Sequence, residues 1–189
     1  MLRYNPCTDK RVRIPGNSET DIESIDKDNS SLFLSDEEIS ILTSNLDYSN
    51  KLHVAIMLGL SHMLREGEIL GLSRKYVDIE NKNIKIRQIL TKAKIFNKDG
   101  TYKRTLRIST PKSKTSIRTV PIVEDAIPVL KQHIKNQEKL FKENNKEWNE
   151  DSLLFLNSKL NLWDSKNFRV AWERFLNKIE LPKYKFHIL

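Results

Sequence analysis

Four basic side chains stand in sequence surroundings that suit chemistry. Arg65 lies in Leu64-Arg65-Glu66-Gly67-Glu68-Ile69-Leu70-Gly71-Leu72, at the start of an apolar stretch with helical spacing. An arginine between Leu64 and such a stretch is either the partner of Glu66 or Glu68 in a structural ion pair, or a two-pronged clamp on a phosphate or carboxylate. Lys112 and Lys114 lie in Thr110-Pro111-Lys112-Ser113-Lys114-Thr115-Ser116, a turn-forming run between two short β-like segments. A lysine at such a tip is an exposed turn residue or a group that reaches a bound phosphate ester. His187 follows the apolar Phe186. Arginine, lysine and histidine without a carboxylate pair point to phosphoryl chemistry by charge stabilisation. Cys7 is the lone cysteine and there are four histidines, so neither an internal disulfide nor a zinc cluster is expected, and no cofactor is implied.

The charge is concentrated. The 189 residues carry 33 Lys plus Arg against 25 Asp plus Glu, a net charge of +8. Residues 81–120 hold twelve basic side chains and one acid, Asp99, for a charge of +11, and the rest of the chain is at −3. Clustered Lys and Arg neutralise phosphates, so this window reads as a polyanion-binding face. Its candidate contacts are Lys92, Lys94, Lys103, Arg104, Arg107, Lys114 and Arg118. A solvated lysine-rich hairpin is the plainer alternative. The window's only aromatics are Phe96 and Tyr102, which favours a duplex backbone over single-strand stacking.

The elements that position these groups read as α+β. Residues 1–30 are polar and irregular, broken by Pro15-Gly16, and read as a linker or arm; residues 31–189 form the domain. Ser35 and Glu38 make a capping box for a helix carrying Ile39, Leu42 and Leu46. Helices follow over about 50–60 and 66–72. Period two then takes over: Val77 and Ile79, a turn at 81–83, Ile84 and Ile86, a charged excursion over 91–105, Leu106 and Ile108, a turn at 111–116, then Ile117, Val120 and Ile122. This predicts a small three-stranded antiparallel sheet in a mostly helical domain. Helices are expected over about 124–148, with Ile127, Leu130, Ile134 and Leu140 inward, and about 165–179, with Phe168, Ala171, Trp172, Phe175 and Ile179 as core. There is no apolar run of membrane-spanning length and no signal-peptide pattern at the start, so a soluble cytoplasmic protein is expected.

The stretch 65–72, followed by Val77-Asp78-Ile79, resembles the first arginine box of the tyrosine recombinases, the phage integrase family. Residues 110–122 resemble that family's lysine-bearing β-hairpin, ending in Arg118-Thr119-Val120-Pro121. His187-Ile188-Leu189 resembles the opening of the second box, and Arg3-Tyr4-Asn5-Pro6 the linker entering the catalytic domain. The resemblance implies site-specific recombination of double-stranded DNA through a 3′-phosphotyrosine, with self-association on DNA and no metal. It gives Arg65 the transition-state charge, Lys112 or Lys114 the leaving 5′-oxygen, and His187 a hydrogen bond or proton at the phosphate. Glu68 and Asp78 match structural positions. Met63 stands where the family pattern has glycine, so a different local turn is expected. The family's second arginine and nucleophilic tyrosine would follow Leu189, so the 189 residues alone are expected not to cleave DNA. A non-catalytic DNA-binding remnant is the alternative, and an unrelated RNA- or protein-binding module a weaker one.

Overall fold

The N-cap signal at Ser35 is realised in full in the computed structural model, which describes residues 33–97, 99–111 and 116–189. The Ser35 hydroxyl accepts from the Glu38 N–H at 3.2 Å, and Glu38 accepts from the Ser35 N–H at 2.8 Å. Helix α1 then runs Asp36–Ser44. Asn50 caps α2, Lys51–His62, an almost wholly buried helix. A short α3, Glu66–Leu70, follows after three residues. The long helix α4 spans Ala126–Glu143, with Pro128 in its first turn, where the missing N–H costs nothing. Asp164 caps α5, Ser165–Lys178, by accepting from the Lys166 N–H at 2.7 Å. Residues 34–189 form one unit; the linker assigned to 1–30 lies outside the described residues.

The small sheet is three-stranded, but not with the expected partners. It joins β1 (Val77–Asp78), β2 (Asn83–Ile86) and β5 (Arg118–Pro121) in that order, with Ile84 opposite Val120 and Ile86 opposite Arg118. The charged excursion is no loop. Its residues form most of a separate two-stranded ribbon of β3 (Ile89–Phe96) and β4 (Tyr102–Ser109), paired from Ile89↔Ser109 to Phe96↔Tyr102. Leu106 and Ile108 therefore pair with β3, while β5 returns to β2. Pairing across a short local turn closes with little entropy loss, and Thr91, Ile95, Phe96, Tyr102 and Thr105 all favour strand.

The core lies between the helices and the three-stranded sheet. Phe155, Phe168 and Trp172 are essentially inaccessible, with Leu42, Ile56, Ile69 and Ile84. Phe168, Trp172 and Phe175 occupy the core as the helical spacing requires. In α4 the inward stripe is rotated from the expected one: Ala126, Leu130, His133, Gln137 and Phe141 are buried, and Ile127 and Ile134 are half-buried. His133 can sit inside because its Nε2 is 2.8 Å from the Leu154 carbonyl and its ring stacks on Phe155. Among the described residues, no helix is long and apolar enough to cross a membrane.

Candidate functional site

The turn between α2 and α3 presents Arg65. Met63 takes the left-handed conformation, φ 52°, that glycine adopts without strain. The turn is left-handed at Met63, and the bulky side chain is left 80% exposed. The Met63 N–H closes onto the Gly59 carbonyl at 3.0 Å, and Arg65 becomes the residue preceding α3.

Glu68 organises the site. It is buried, and its carboxylate receives the Arg118 guanidinium at both oxygens, Nη1 to Oε1 at 2.8 Å and Nη2 to Oε2 at 2.9 Å. The Arg65 backbone N–H adds a third bond at 2.9 Å. The Arg65 side chain makes only a long contact, Nη1 to Oε1 at 3.4 Å, and is 72% exposed. Burial alone would raise the Glu68 pKa, but the Arg118 hydrogen bonds, the Arg65 N–H and the charges of both arginines together hold it below the usual carboxylate range. Glu68 in turn raises the pKa of Arg118. Glu66 is taken by Arg169, Nε to Oε2 at 3.0 Å. Of the two readings open for Arg65, the ion pair thus falls mainly to Arg118, and most of the Arg65 guanidinium donors stay available.

Arg65 faces a cleft of about 1240 Å³. Its walls are the start of α3, residues 90–92 of β3, the exposed side of α5 and the segment 183–187. His187 lines it as well, so residues 122 positions apart in sequence share one cavity. The segment before His187 alternates: Lys183, Lys185 and His187 are exposed, Tyr184 is half-buried and Phe186 is buried. Phe186 anchors it, edge-on to Phe168 at 4.8 Å and to Trp172 at 5.7 Å. A side chain at Gly59 would meet the Phe186 ring at 3.1 Å, so glycine there admits the anchor. Trp172 Nε1–H donates to the Tyr184 carbonyl at 2.7 Å, and the Tyr184 hydroxyl donates to Glu38 at 2.7 Å.

The window cations divide. Lys92 lines the cleft and pairs with Asp164 at 2.8 Å. Arg118 is held by Glu68. Lys94, Lys103, Arg104 and Arg107 are exposed on the ribbon. Lys112 and Lys114 lie outside the described residues. The sequence reading missed the cleft's other cations, Lys166, Arg169, Lys183 and Lys185. The period-two pattern of residues 183–187 was the available signal. It was hidden because those lysines lie outside the +11 window. Together with Arg65 and Lys92 they outnumber the acids Glu66 and Glu173 on the walls, which suits a polyanion.

Fold and cleft thus describe an α+β domain with a large, cation-lined cleft. Residues 32–189 match the phage integrase family model, and the chain belongs to that family. It is 33% identical over 191 aligned residues to a XerC-like tyrosine recombinase of Caldanaerobacter subterraneus subsp. tengcongensis, covering all of this chain and 47% of the relative. Its fold is similar to that of the Tn1549 transposon integrase in complex with a circular-intermediate DNA, with a TM-score of 0.63, 21% identity, and coverage of 84% of this chain and 50% of that one. XerA recombinase is similar at a TM-score of 0.58 and 15% identity, over 82% and 45% of the two chains. The chain spans about half the length of these relatives.

Proposed function

We propose that this chain supplies the catalytic domain of a site-specific recombinase, residues 31–189 after a linker over 1–30, that cuts and rejoins double-stranded DNA through a tyrosine. The observation that carries this reading is the division of labour at Glu68. Arg118 satisfies the buried carboxylate, and Arg65 is left exposed at a cationic cleft shared with His187. A phosphodiester under attack gathers negative charge on its non-bridging oxygens, and preorganised cationic donors stabilise that charge. Arg65 takes this role and His187 hydrogen-bonds the phosphate. Lys112 or Lys114 protonates the departing 5′-oxygen, while a tyrosine oxygen forms the new bond to phosphorus; rejoining reverses each transfer. Tyr184 is the described tyrosine on the cleft wall, but its hydroxyl is donated to Glu38, and its pKa is raised by that bond and by burial. We assign it no nucleophilic role. Self-association on DNA and a cytoplasmic location complete the reading.

The test uses a full-length version with its target duplex. Arg65→Ala is expected to abolish the covalent protein–DNA complex while leaving duplex affinity within a few-fold. Equal loss of cleavage and binding would mean that Arg65 serves the fold. For the 189-residue chain, contacts to about four to six phosphates give a slope of log K against log salt near −4 to −5. A salt-independent affinity rejects DNA as the ligand. A non-catalytic DNA-binding role is the second reading; it predicts the salt slope without covalent capture in any longer version.

A further inference from the structure

The far end of the β3–β4 ribbon carries a surface that backbone-phosphate binding does not explain. Phe96 and Tyr102, six positions apart in the lysine-rich window, are directly opposed across the ribbon, with ring centroids 5.8 Å apart. Both are open to solvent, 67% and 45% exposed. Opposed residues share a face and alternate positions return to it. The pair Lys94↔Arg104 therefore lies on the same face, and both cations reach the aromatic ring: Lys94 Nζ is 4.4 Å and the Arg104 guanidinium carbon 5.9 Å from the Tyr102 centroid. The tip is well braced. The Asn97 N–H donates to the Thr101 carbonyl at 2.8 Å, the Asn97 side chain to the Thr101 hydroxyl at 2.8 Å, and the Thr101 N–H to Asp99 at 2.9 Å. At the other end, Lys92 fixes β3 to Asp164 at the edge of the cleft. Four residues of strand put the aromatic pair about 13 Å from that anchor.

We propose that Phe96 and Tyr102 form a stacking platform for an unstacked nucleobase, with Lys94 and Arg104 holding the adjoining phosphates. This rests on the DNA reading of the cleft. Phe96 presents an open ring beside Tyr102, whose ring carries Lys94 over its face, and exposed aromatics with cations beside them match a ligand that alternates flat π-systems with phosphates. A two-stranded ribbon also fits the major groove, so the platform can approach a duplex whose backbone lies in the cleft. Cross-strand aromatic pairs also stabilise hairpins, but a pair working only in that way gains most when the rings shield each other from water. Here most of Phe96 remains open.

The experiment compares the 189-residue chain on two duplexes, one fully paired and one with an unpaired step containing a fluorescent adenine analogue. The unpaired duplex is expected to bind more tightly, with the analogue quenched on binding. Phe96→Ile with Tyr102→Val keeps strand-favouring residues and removes both π-faces. It is expected to lose about tenfold of the preference for the unpaired duplex while retaining affinity for the paired one. Tyr102→Phe keeps the face and is expected to keep the preference. An unquenched analogue in the unsubstituted protein overturns the platform without reference to any variant. So does an unchanged preference in the double variant, or an equal loss on both duplexes. A change of oligomeric state at constant DNA affinity assigns the patch to a protein contact instead. No salt-sensitive binding to either duplex overturns the DNA reading, and the platform with it.

Discussion

The Glu68 cluster and the β3–β4 ribbon are both rich in cations and use them in opposite ways. At Glu68 the charge is turned inward: a buried carboxylate takes both prongs of Arg118 and ties the α2–α3 turn to β5, with Arg118 also reaching the Met63 carbonyl at 3.4 Å. On the ribbon Lys94, Lys103, Arg104 and Arg107 face water. The lesson lies in burial. The same guanidinium chemistry holds the fold together where the partner carboxylate is dry, and is free for a ligand where it is wet. Arg65 stands between the two regimes, with its backbone in the first and its side chain in the second.

Substitutions should separate the two regions by stability, and the first has the largest effect. Glu68→Gln removes a buried charge and leaves Arg118 without its partner, at a cost of about 3 kcal/mol in chemical denaturation. A loss below about 1 kcal/mol would place this cluster with the surface pairs. The same variant tests the pH dependence. Because the folded-state pKa of Glu68 is depressed, its stabilisation is complete above the unfolded carboxylate value and is lost as pH falls through the folded value. Glu68→Gln should flatten the acid end of the stability curve. His133 acts in a higher window. Burial lowers it from 6.5 to about 4, partly opposed by the Leu154 carbonyl, so the neutral folded form loses stability progressively as pH falls from 6.5 towards 4. The two losses should therefore appear as separate segments of a titration.

Gly71→Ala comes next. A methyl group there would sit 2.7 Å from the Leu90 backbone nitrogen and 2.8 Å from the Ile89 carbonyl carbon, neither of which can rotate away. We expect a loss of about 2 kcal/mol, with amide shifts at the base of the ribbon, which Gln88 also ties to the Gly71 carbonyl at 2.7 Å. Met63→Gly should have the opposite sign and a smaller size. Relief of the left-handed strain, less the added freedom of the unfolded chain, stabilises by about 0.5–1 kcal/mol in thermal denaturation. Smallest of all, Lys94→Ala with Lys103→Ala should leave stability within about 0.5 kcal/mol and lower the salt slope of DNA binding by about 1–2. A large stability loss there would erase the contrast between ribbon and cluster.

Much of this was legible along the chain. The capping box at Ser35 and the aromatic spacing of α5 are local patterns, and the structure reproduces them. The family motif around Arg65 was equally local. Strand partners were not, because alternation marks a strand but not its neighbour: the excursion over 91–105 folded back on itself and released β5 to pair with β2. The inward stripe of α4 differs from the periodic expectation for a related reason. His133 is buried by virtue of a carbonyl on a distant segment, which hydropathy does not register.

By itself, then, the sequence determined which residue types were present for phosphate chemistry and which segments were helical, since capping and periodicity act within a few residues. Only the tertiary structure decided how the charges were assigned. Glu68 chose Arg118 across 50 positions and left Arg65 exposed. Phe186 docked among Phe168 and Trp172 and carried His187 to the same cleft. The physical reason is that an ion pair's role depends on distance and desolvation, and both are set by packing between segments far apart in the chain.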